Sequence, residues 1–218
     1  MTFLDKDLRD LRLPNRLTPG LGQLQGKDVI VGPHSNWFRA WSLDGELVGQ
    51  WHTRGNGVSV QYVEHEGNLL AAVPHAHGGG IQVYSFPDGG LGFSLFGSSA
   101  PPLSGHHLGL WRGEPVIGVL LDGGISVFHA LSGKPLWRYE DMSHRRAYPV
   151  LRLLTVHGRR LVLVVRPDQS LIFLDADADR VTFRVHPGAR VDAVALAGED
   201  LLGVLTTKDF VCLRLPAH

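Results

Sequence analysis

The sequence contains almost no cysteine and has no excess of charge of either sign. Cys212 is the only cysteine among 218 residues, which excludes an intrachain disulfide. Lysine and arginine together number 21, as do aspartate and glutamate, so the formal net charge is zero. General polyanion binders carry a basic excess. The composition therefore argues against general nucleic-acid binding, although it leaves room for a local basic patch.

Long apolar runs are also missing. No stretch approaches the roughly 18 uninterrupted apolar residues of a membrane-spanning helix. The first ten residues, Met-Thr-Phe-Leu-Asp-Lys-Asp-Leu-Arg-Asp, are charged and contain no apolar run of signal-peptide length. We therefore expect a cytoplasmic protein with no membrane partner.

Helical periodicity is absent as well, whereas turn residues are abundant. No segment of ten or more residues has the apolar spacing of an amphipathic helix. The 27 glycines and 13 prolines fall between short apolar runs, a distribution that is typical of many turns. Hydrophobic residues make up 44% of the chain, which is enough to build a core. These features predict an all-β fold.

The short apolar runs form a repeat of five units, each with one strand, a turn and a second strand. The first strands begin at residues 28, 68, 115, 160 and 200, and the second strands begin at residues 38, 81, 125, 171 and 210. The second strands are therefore spaced by 43, 44, 46 and 39 residues. A period of about 40–50 residues with four strands per unit is typical of propeller blades.

The repeat predicts one domain over residues 1–218, an all-β, five-bladed β-propeller with four-stranded antiparallel blades. We name the strands of each blade A to D from the axis outward. The blades are predicted at about 20–53, 58–97, 106–141, 150–187 and 191–218. The fifth blade has only strands A, B and C. We expect the segment at about 2–13 to supply its outer strand and close the ring, since closure leaves no large unpaired face.

The third unit carries the clearest family resemblance. Residues 124–137 read Gly-Ile-Ser-Val-Phe-His-Ala-Leu-Ser-Gly-Lys-Pro-Leu-Trp. This resembles the repeat of pyrroloquinoline-quinone-type (PQQ-like) propellers, in which a Thr-Gly-Lys-like turn precedes a tryptophan. WD-repeat propellers are the related alternative, although their His…Trp-Asp signature does not recur here. The resemblance implies a propeller and does not imply the quinone, and no cofactor is expected.

The tryptophans and the turn glycine of this repeat are expected to have structural roles. Gly133 permits the tight hairpin, and Trp137 is expected to cover the interface between neighbouring blades. Trp41, Trp51 and Trp111 also recur at strand positions, so we predict core or inter-blade packing for them.

Propeller geometry sorts the loops onto two faces. The B–C and D–A loops gather on one face, which we call the loop face, and the A–B and C–D loops gather on the other. Several basic residues and histidines fall on or next to the predicted loop face. We predict that the face for a ligand or partner includes His34, Arg54, His75, His77, His106, His107, His144, Arg145 and Arg146.

Three of these histidines could converge near the axis and hold a divalent metal. In His75-Ala-His77 an extended backbone places both imidazoles on one side. His106 or His107 begins the inner strand of the next unit. Three histidines with an open position suit catalytic zinc. A metal site at His75, His77 and His107 is one hypothesis, and histidines that face a partner are the other.

Two further segments have weaker chemical signals. Asp175-Ala-Asp-Ala-Asp179 superficially resembles a calcium loop, but it lacks the glycine and the terminal glutamate of that motif, so we predict a C–D hairpin. Cys212 alternates with Phe210 inside a strand and is predicted to be buried and inert.

The function stays open between two main classes. The first is a non-enzymatic binding or scaffold propeller that presents one loop face to a protein partner or a small anionic ligand. The alternative is a metal- or His-dependent enzyme with its site at the axial funnel. A carbohydrate-binding propeller would need aromatic residues at equivalent loop positions in every blade, and the loops here do not repeat. The fold alone does not choose between these classes.

Overall fold

The computed structural model describes residues 20–34, 37–53, 60–74, 80–95, 105–121, 124–140, 150–166, 168–198 and 200–216. Nineteen strands in these residues form five antiparallel sheets. Sheet 1 contains β1 (Gly20–Leu24), β2 (Lys27–His34), β3 (Trp37–Ser42) and β4 (Leu47–His52). Sheet 2 contains β5 (Gln61–His65), β6 (Asn68–Pro74), β7 (Ile81–Phe86) and β8 (Gly90–Leu95). Sheet 3 contains β9 (His106–Trp111), β10 (Glu114–Leu121), β11 (Gly124–His129) and β12 (Pro135–Tyr139). Sheet 4 contains β13 (Val150–Val156), β14 (Arg159–Val165), β15 (Leu171–Asp175) and β16 (Arg180–Val185). Sheet 5 contains β17 (Val191–Ala197), β18 (Leu201–Thr206) and β19 (Phe210–Arg214).

The strands of each sheet are hydrogen-bonded in chain order. This confirms the all-β prediction and the A-to-D order of strands in the first four units. The fifth sheet has three strands, so a complete fifth blade is not shown. The segment 2–13 lies outside the described residues, and its closing role stays a prediction. The described residues contain no helix that is long and apolar enough to cross a membrane.

The chain divides into two compact units. Among the described residues, unit 1 contains sheets 1 and 2 together with Ala130–Gly133. Unit 2 contains the strands of sheets 3, 4 and 5.

The A–B hairpins of sheets 1 to 4 share one turn geometry. In each, both loop residues have positive φ and the second is glycine: Gln25-Gly26, Glu66-Gly67, Arg112-Gly113 and His157-Gly158. Two positive φ values in a two-residue loop are the mark of a type I′ turn, whose twist matches that of the flanking strands. The repeated turn gives strands A and B the same register in these sheets, so inner-strand residues can be compared by counting pairs from the turn.

Each C–D pairing in sheets 1 to 4 contains an irregularity at an equivalent place. The register shifts between Ala40 and Trp41, Val83 and Tyr84, Val127 and Phe128, and Phe173 and Leu174. Next to the shift, three of the outer strands place an aromatic residue: Phe93 opposite Val83, Trp137 opposite Val127 and Phe183 opposite Phe173. The repeat seen in the sequence therefore extends to an aromatic position on strand D.

Sheet 1 keeps this aromatic position by a different residue. Gly49 lies opposite Ala40. The ring of Trp51 lies directly over Gly49, so that a Cβ on Gly49 would be only 2.2 Å from Trp51 Cη2. The Trp51 Nε1–H donates to the carbonyl of Pro87 at 2.6 Å, in the C–D turn of sheet 2. Phe38 and Phe86 stack in the same core at 4.4 Å. Trp51 thus joins the two sheets of unit 1, as predicted for an inter-blade tryptophan.

Within unit 1, Gly133 packs against the ring of Phe93. This contact supports a stability prediction. Gly133 has φ of +70°, and a Cβ there would lie 2.6 Å from Phe93 Cδ2. We expect Gly133→Ala to lower the free energy of unfolding by about 2 kcal/mol or more, since it adds left-handed strain to an aromatic clash. Gly158→Ala is the matched control, because Gly158 has φ of +73° with nothing within 4 Å of a Cβ. Urea denaturation of both variants measures the difference, and equal losses would contradict the packing role of Gly133.

Sheet 4 forms the centre of unit 2 because both of its faces are buried. Val162 and Val164 of β14 belong to an apolar cluster shared with sheet 3, which includes Val116 and Val127. Leu161, Leu163 and Val165 belong to a second cluster shared with sheet 5, which includes Leu202 and Val204. The uninterrupted apolar run of β14 is therefore explained by burial on both faces, as in other strands at the centre of a domain.

Trp137 links sheets 3 and 4 within unit 2. Its ring is half-buried against the apolar cluster shared by these sheets. Its Nε1–H donates to Asp179 Oδ1 at 3.1 Å, in the C–D turn of sheet 4. Trp41 and Trp111 are buried, with exposed fractions of 8% and 2%. The predicted core or packing roles of these tryptophans are confirmed.

The prediction for Cys212 is wrong. Cys212 does alternate with Phe210 on β19, but both side chains are exposed, and Phe210 is 66% exposed. The alternate residues Val211 and Leu213 are the ones that pack against the core. The error concerns the face of the strand, because a period of two indicates which residues share a face and not which face is covered.

Candidate functional site

The described residues place three of the predicted site histidines. His34 ends β2, with its backbone paired to Trp37. His106 and His107 are the first two residues of β9, the inner strand of sheet 3. The other predicted site residues lie outside the described residues: Arg54, His75, His77, His144, Arg145 and Arg146. The partner face and the three-histidine metal site therefore stay predictions.

His107 is part of a repeated connection between the inner strands of unit 2. The residues of strands A and B that lie opposite each other form pairs, which we count from the A–B turn. The fifth pair contains His107 in sheet 3 and Arg152 in sheet 4. His107 Nδ1 accepts a hydrogen bond from the Leu153 amide at 3.1 Å. Arg152 Nε–H donates to the Val194 carbonyl at 3.4 Å. Leu153 and Val194 are both in fourth pairs. Each side chain therefore reaches the backbone of the next inner strand at the same level.

Nearer the A–B turns, side chains reach back to the preceding inner strand. In unit 2, Thr155 Oγ1–H donates to the Leu110 carbonyl at 3.2 Å. In unit 1, Glu64 Oε1 accepts a hydrogen bond from the backbone N–H of Gln23 at 2.6 Å. Thr155 and Glu64 are both in second pairs. In the sheets formed by the described residues, the inner strands of different sheets are not paired with one another, so these side chains satisfy backbone groups that the sheets leave unpaired.

We call His106, His107 and Arg152 the inner-strand cluster. Burial lowers the pKa of His107 to about 3, and the charges of Arg152 and His106 add to this effect. His107 is therefore neutral at neutral pH. Since Nδ1 accepts the Leu153 amide, the ring proton of His107 lies on Nε2. An anion site that relies on a protonated His107 is not supported by this geometry, and a metal could reach this ring only through Nε2.

The depressed pKa of His107 predicts a loss of stability in mild acid. The unfolded chain takes up a proton near pH 6.5 and the folded chain only near pH 3, so stability falls as pH falls through this window. We expect the free energy of unfolding to drop by about 2 kcal/mol between pH 6.5 and 4.5 because of this group. Asp168, Asp175 and Asp177, whose pKa values are lowered, contribute at lower pH. Urea titrations across this range give the slope.

The matched variant for this prediction is His107→Asn, whose side-chain oxygen can still accept the Leu153 amide but does not titrate. The variant should have a flatter pH profile than the wild type between pH 6.5 and 4.5. Two profiles of equal slope would show that His107 does not carry the effect.

Arg152 is the site residue that the sequence analysis missed. Its guanidinium is half-buried and binds two carbonyls, Val194 at 3.4 Å through Nε and Leu151 at 2.8 Å through Nη1. Burial lowers its pKa. The available signal was an arginine inside the apolar segment Val150-Leu-Arg-Leu-Leu-Thr-Val156. Burial of a lone cation in an apolar strand costs free energy unless the cation is paired and hydrogen-bonded.

The described loops at the loop-face ends of sheets 4 and 5 are held by their own polar side chains. Asp168 Oδ1 accepts the hydroxyl of Ser170 at 2.6 Å and the Ser170 amide at 3.0 Å, and these bonds hold the pKa of Asp168 below its usual value. Gln169 Oε1 accepts the Val191 amide at 2.9 Å. Arg190 pairs with Asp192, with Nη2 2.9 Å from Oδ1. These loops therefore have defined shapes and carry both signs of charge.

The acidic C–D turn of sheet 4 is structural, as predicted. Asp175 Oδ1 accepts the amides of Asp177 and Ala178 at 2.9 and 3.1 Å, and its other oxygen pairs with Arg159. Burial alone would raise the pKa of Asp175, but the bonds from Arg159 and these amides lower it overall. Among the described residues, no group of three or more His, Cys, Asp or Glu side chains could hold a metal ion.

Comparison with known proteins identifies the fold. No family model matches the chain, and no curated protein matches its sequence. Two solved structures of BBS1N in complex with ARL6DN, from crystals soaked with mercury or lead, have a TM-score of 0.70 at 10% identity. They match 94% of this chain and 67% of BBS1N.

The PQQ-like propeller BamB from Moraxella catarrhalis has a TM-score of 0.59 at 16% identity over 88% of this chain and 56% of BamB. BBS1N is also a propeller, so the resemblance to the propeller fold inferred from the third repeat is confirmed at the level of the fold. Identities this low show the fold alone, and the chain spans 67% and 56% of the lengths of these structures.

Proposed function

We propose that this chain is a non-enzymatic binding or scaffold propeller that presents its loop face to a protein partner or a small anionic ligand. The observation that carries the proposal is the likeness to BBS1N, a propeller that was solved with a protein, ARL6DN, bound to it. The self-bonded loops of sheets 4 and 5 support it further, since a preorganised surface loses less entropy on binding.

The architecture that goes with this function is a ring of five blades. We propose that sheets 1 to 5 are its blades and that residues 2–13 add the outer strand beside β19. Sheets 1 to 4 have four strands each and sheet 5 has three, so one more strand would make the five units equivalent.

The partner hypothesis is tested by charge reversal on the loop face. Arg145→Glu/Arg146→Glu changes two predicted face residues, and Lys27→Glu/Arg180→Glu changes two exposed cations next to A–B and C–D turns by the same charge. Crosslinking with mass spectrometry in the host cell should show partners of the wild type that the first variant loses and the second keeps. Identical crosslinks for both variants would contradict the hypothesis that the loop face binds the partner.

The ligand hypothesis is tested separately by titration with Zn²⁺ and with phosphate at pH 5.5 and 7.5. Metal binding should weaken at the lower pH, because protons compete for the imidazole nitrogens, whereas anion binding by cationic groups should strengthen. The double variant His75→Ala/His77→Ala should lose whichever ligand these residues hold. Binding that this variant leaves untouched would exclude His75 and His77 from the site.

A further inference from the structure

Arg152 lies half-buried on the inner strand of sheet 4, and no counter-charge faces it among the described residues. Its two acceptors among the described residues are the uncharged carbonyls of Leu151 and Val194. A guanidinium has five N–H donors, so both N–H groups of Nη2 and one of Nη1 have no acceptor among the described residues. No carboxylate of the described residues lies within 4.0 Å of this guanidinium. Nη2 is not one of the fully buried nitrogens without a partner in the described part of the chain, so its donors are accessible from solvent and available to a ligand.

The neighbouring inner strands β9 and β17 have no acidic residue in the pair that corresponds to that of Arg152. The residue in the fifth pair of β9 is His107, which is neutral, and the residue in the fifth pair of β17 is Ala193. Ala193 is exposed and offers only a methyl group. Asp192, the nearest acidic residue along β17, already pairs with Arg190. Arg152 therefore combines a positive charge and N–H donors that no described residue accepts with a small neighbouring residue, Ala193.

We propose that Arg152 anchors a small oxyanion, such as a carboxylate or phosphate group, at the inner strands of unit 2. The two nitrogens Nη1 and Nη2 form the edge of the guanidinium that binds two oxygens side by side. This inference deepens the proposed function and rests on it only for the statement that the ligand is small and anionic. The residue that binds the anion is then Arg152 on the inner strand of sheet 4, and not one of the predicted loop residues.

The site is tested on the full chain with sodium phosphate, sodium acetate and sodium chloride as probes. Thermal unfolding should show that phosphate or acetate raises the Tm of the wild type and that chloride at equal ionic strength does not. The ¹H–¹⁵N signal of Arg152 Nε should shift on titration. A larger response to phosphate indicates a phosphate-type ligand, and a larger response to acetate indicates a carboxylate.

Two variants and one control decide the assignment. Arg152→Gln should weaken the binding of the effective oxyanion by about tenfold or more, as expected when charge-assisted hydrogen bonds are removed. Ala193→Asp supplies an internal carboxylate beside Arg152 and should abolish the response to added anion in a chain that still has its arginine. Arg184→Gln removes an exposed charge from β16 and should behave like the wild type.

Two results would contradict the proposed anion site at Arg152. A Tm rise that is the same for chloride and the oxyanions, or the same in Arg152→Gln and Arg184→Gln, would be a general salt effect. The absence of any Arg152 Nε shift with both oxyanions would also overturn it. These outcomes leave the crosslinking test of the partner face unaffected, so failure of the anion site and failure of the proposed function are distinguishable.

Discussion

Deletion of residues 1–13 is expected to lower the free energy of unfolding by several kcal/mol or to prevent folding, because we propose that this segment pairs with the outer edge of sheet 5, which the deletion would leave uncovered. Sheet 5 ends at β19 in the described part of the chain. Exposed Phe210 and Cys212 lie on this strand. An unpaired strand edge with apolar neighbours also favours aggregation. Circular dichroism during urea denaturation measures the loss of stability, and light scattering detects aggregation.

The control for this deletion is addition of a peptide of residues 1–19 in trans. If the segment acts as a strand, the peptide should restore the Tm of the shortened chain in a concentration-dependent manner. A peptide in which Phe3, Leu4 and Leu8 are replaced by Asp should not. A shortened chain that melts at the temperature of the wild type would reject the closure of the ring by this segment.

Trp137→Ala is expected to lower the free energy of unfolding by about 3 kcal/mol, the lower end of the range for Trp→Ala because the ring is half-buried. The ring packs against the apolar cluster between sheets 3 and 4, and its Nε1–H binds Asp179. Trp137→Phe keeps most of the apolar contact and removes the hydrogen bond, so it should cost about 1 kcal/mol. Chemical denaturation of both variants separates packing from hydrogen bonding.

Asp179→Ala provides the second edge of a double-mutant cycle with Trp137→Phe. If the Trp137–Asp179 bond acts as described, the two changes together should cost less than the sum of the single changes. A Trp137→Ala protein with wild-type stability and altered ligand binding would instead make Trp137 a site residue and contradict its packing role.

The strands were predictable because turns and apolar runs are local features of the sequence. The predicted second strand at residue 81 begins where β7 begins, and the predicted inner strand of the third unit begins, like β9, at His106. Gly67, Gly113 and Gly158 mark A–B turns because glycine takes positive φ without a steric cost. Trp137 was predicted to pack because it follows a turn of a repeat that resembles PQQ-like propellers.

The site was less predictable because its properties depend on neighbours that are distant in sequence. His107 was proposed as a ligand from its place at a strand start, but the Leu153 amide, 46 residues away, occupies its Nδ1. Arg152 was overlooked because an arginine between leucines gives no sign of whether a carboxylate faces it. Cys212 was placed on the wrong face because burial depends on what lies beside the sheet.

By itself, the sequence determined the all-β class, the five-unit period, the turns and the pairing order of the strands in the first four sheets. Each of these follows from interactions between residues close in the chain: alternation of apolar side chains, glycine at positive φ and short hairpins. Only the tertiary structure decided that His107 is neutral, that Trp137 binds Asp179 and that Arg152 has no counter-charge in the described part of the chain. Protonation, burial and charge pairing depend on desolvation and on partners in other sheets, and these are set only when the sheets pack together.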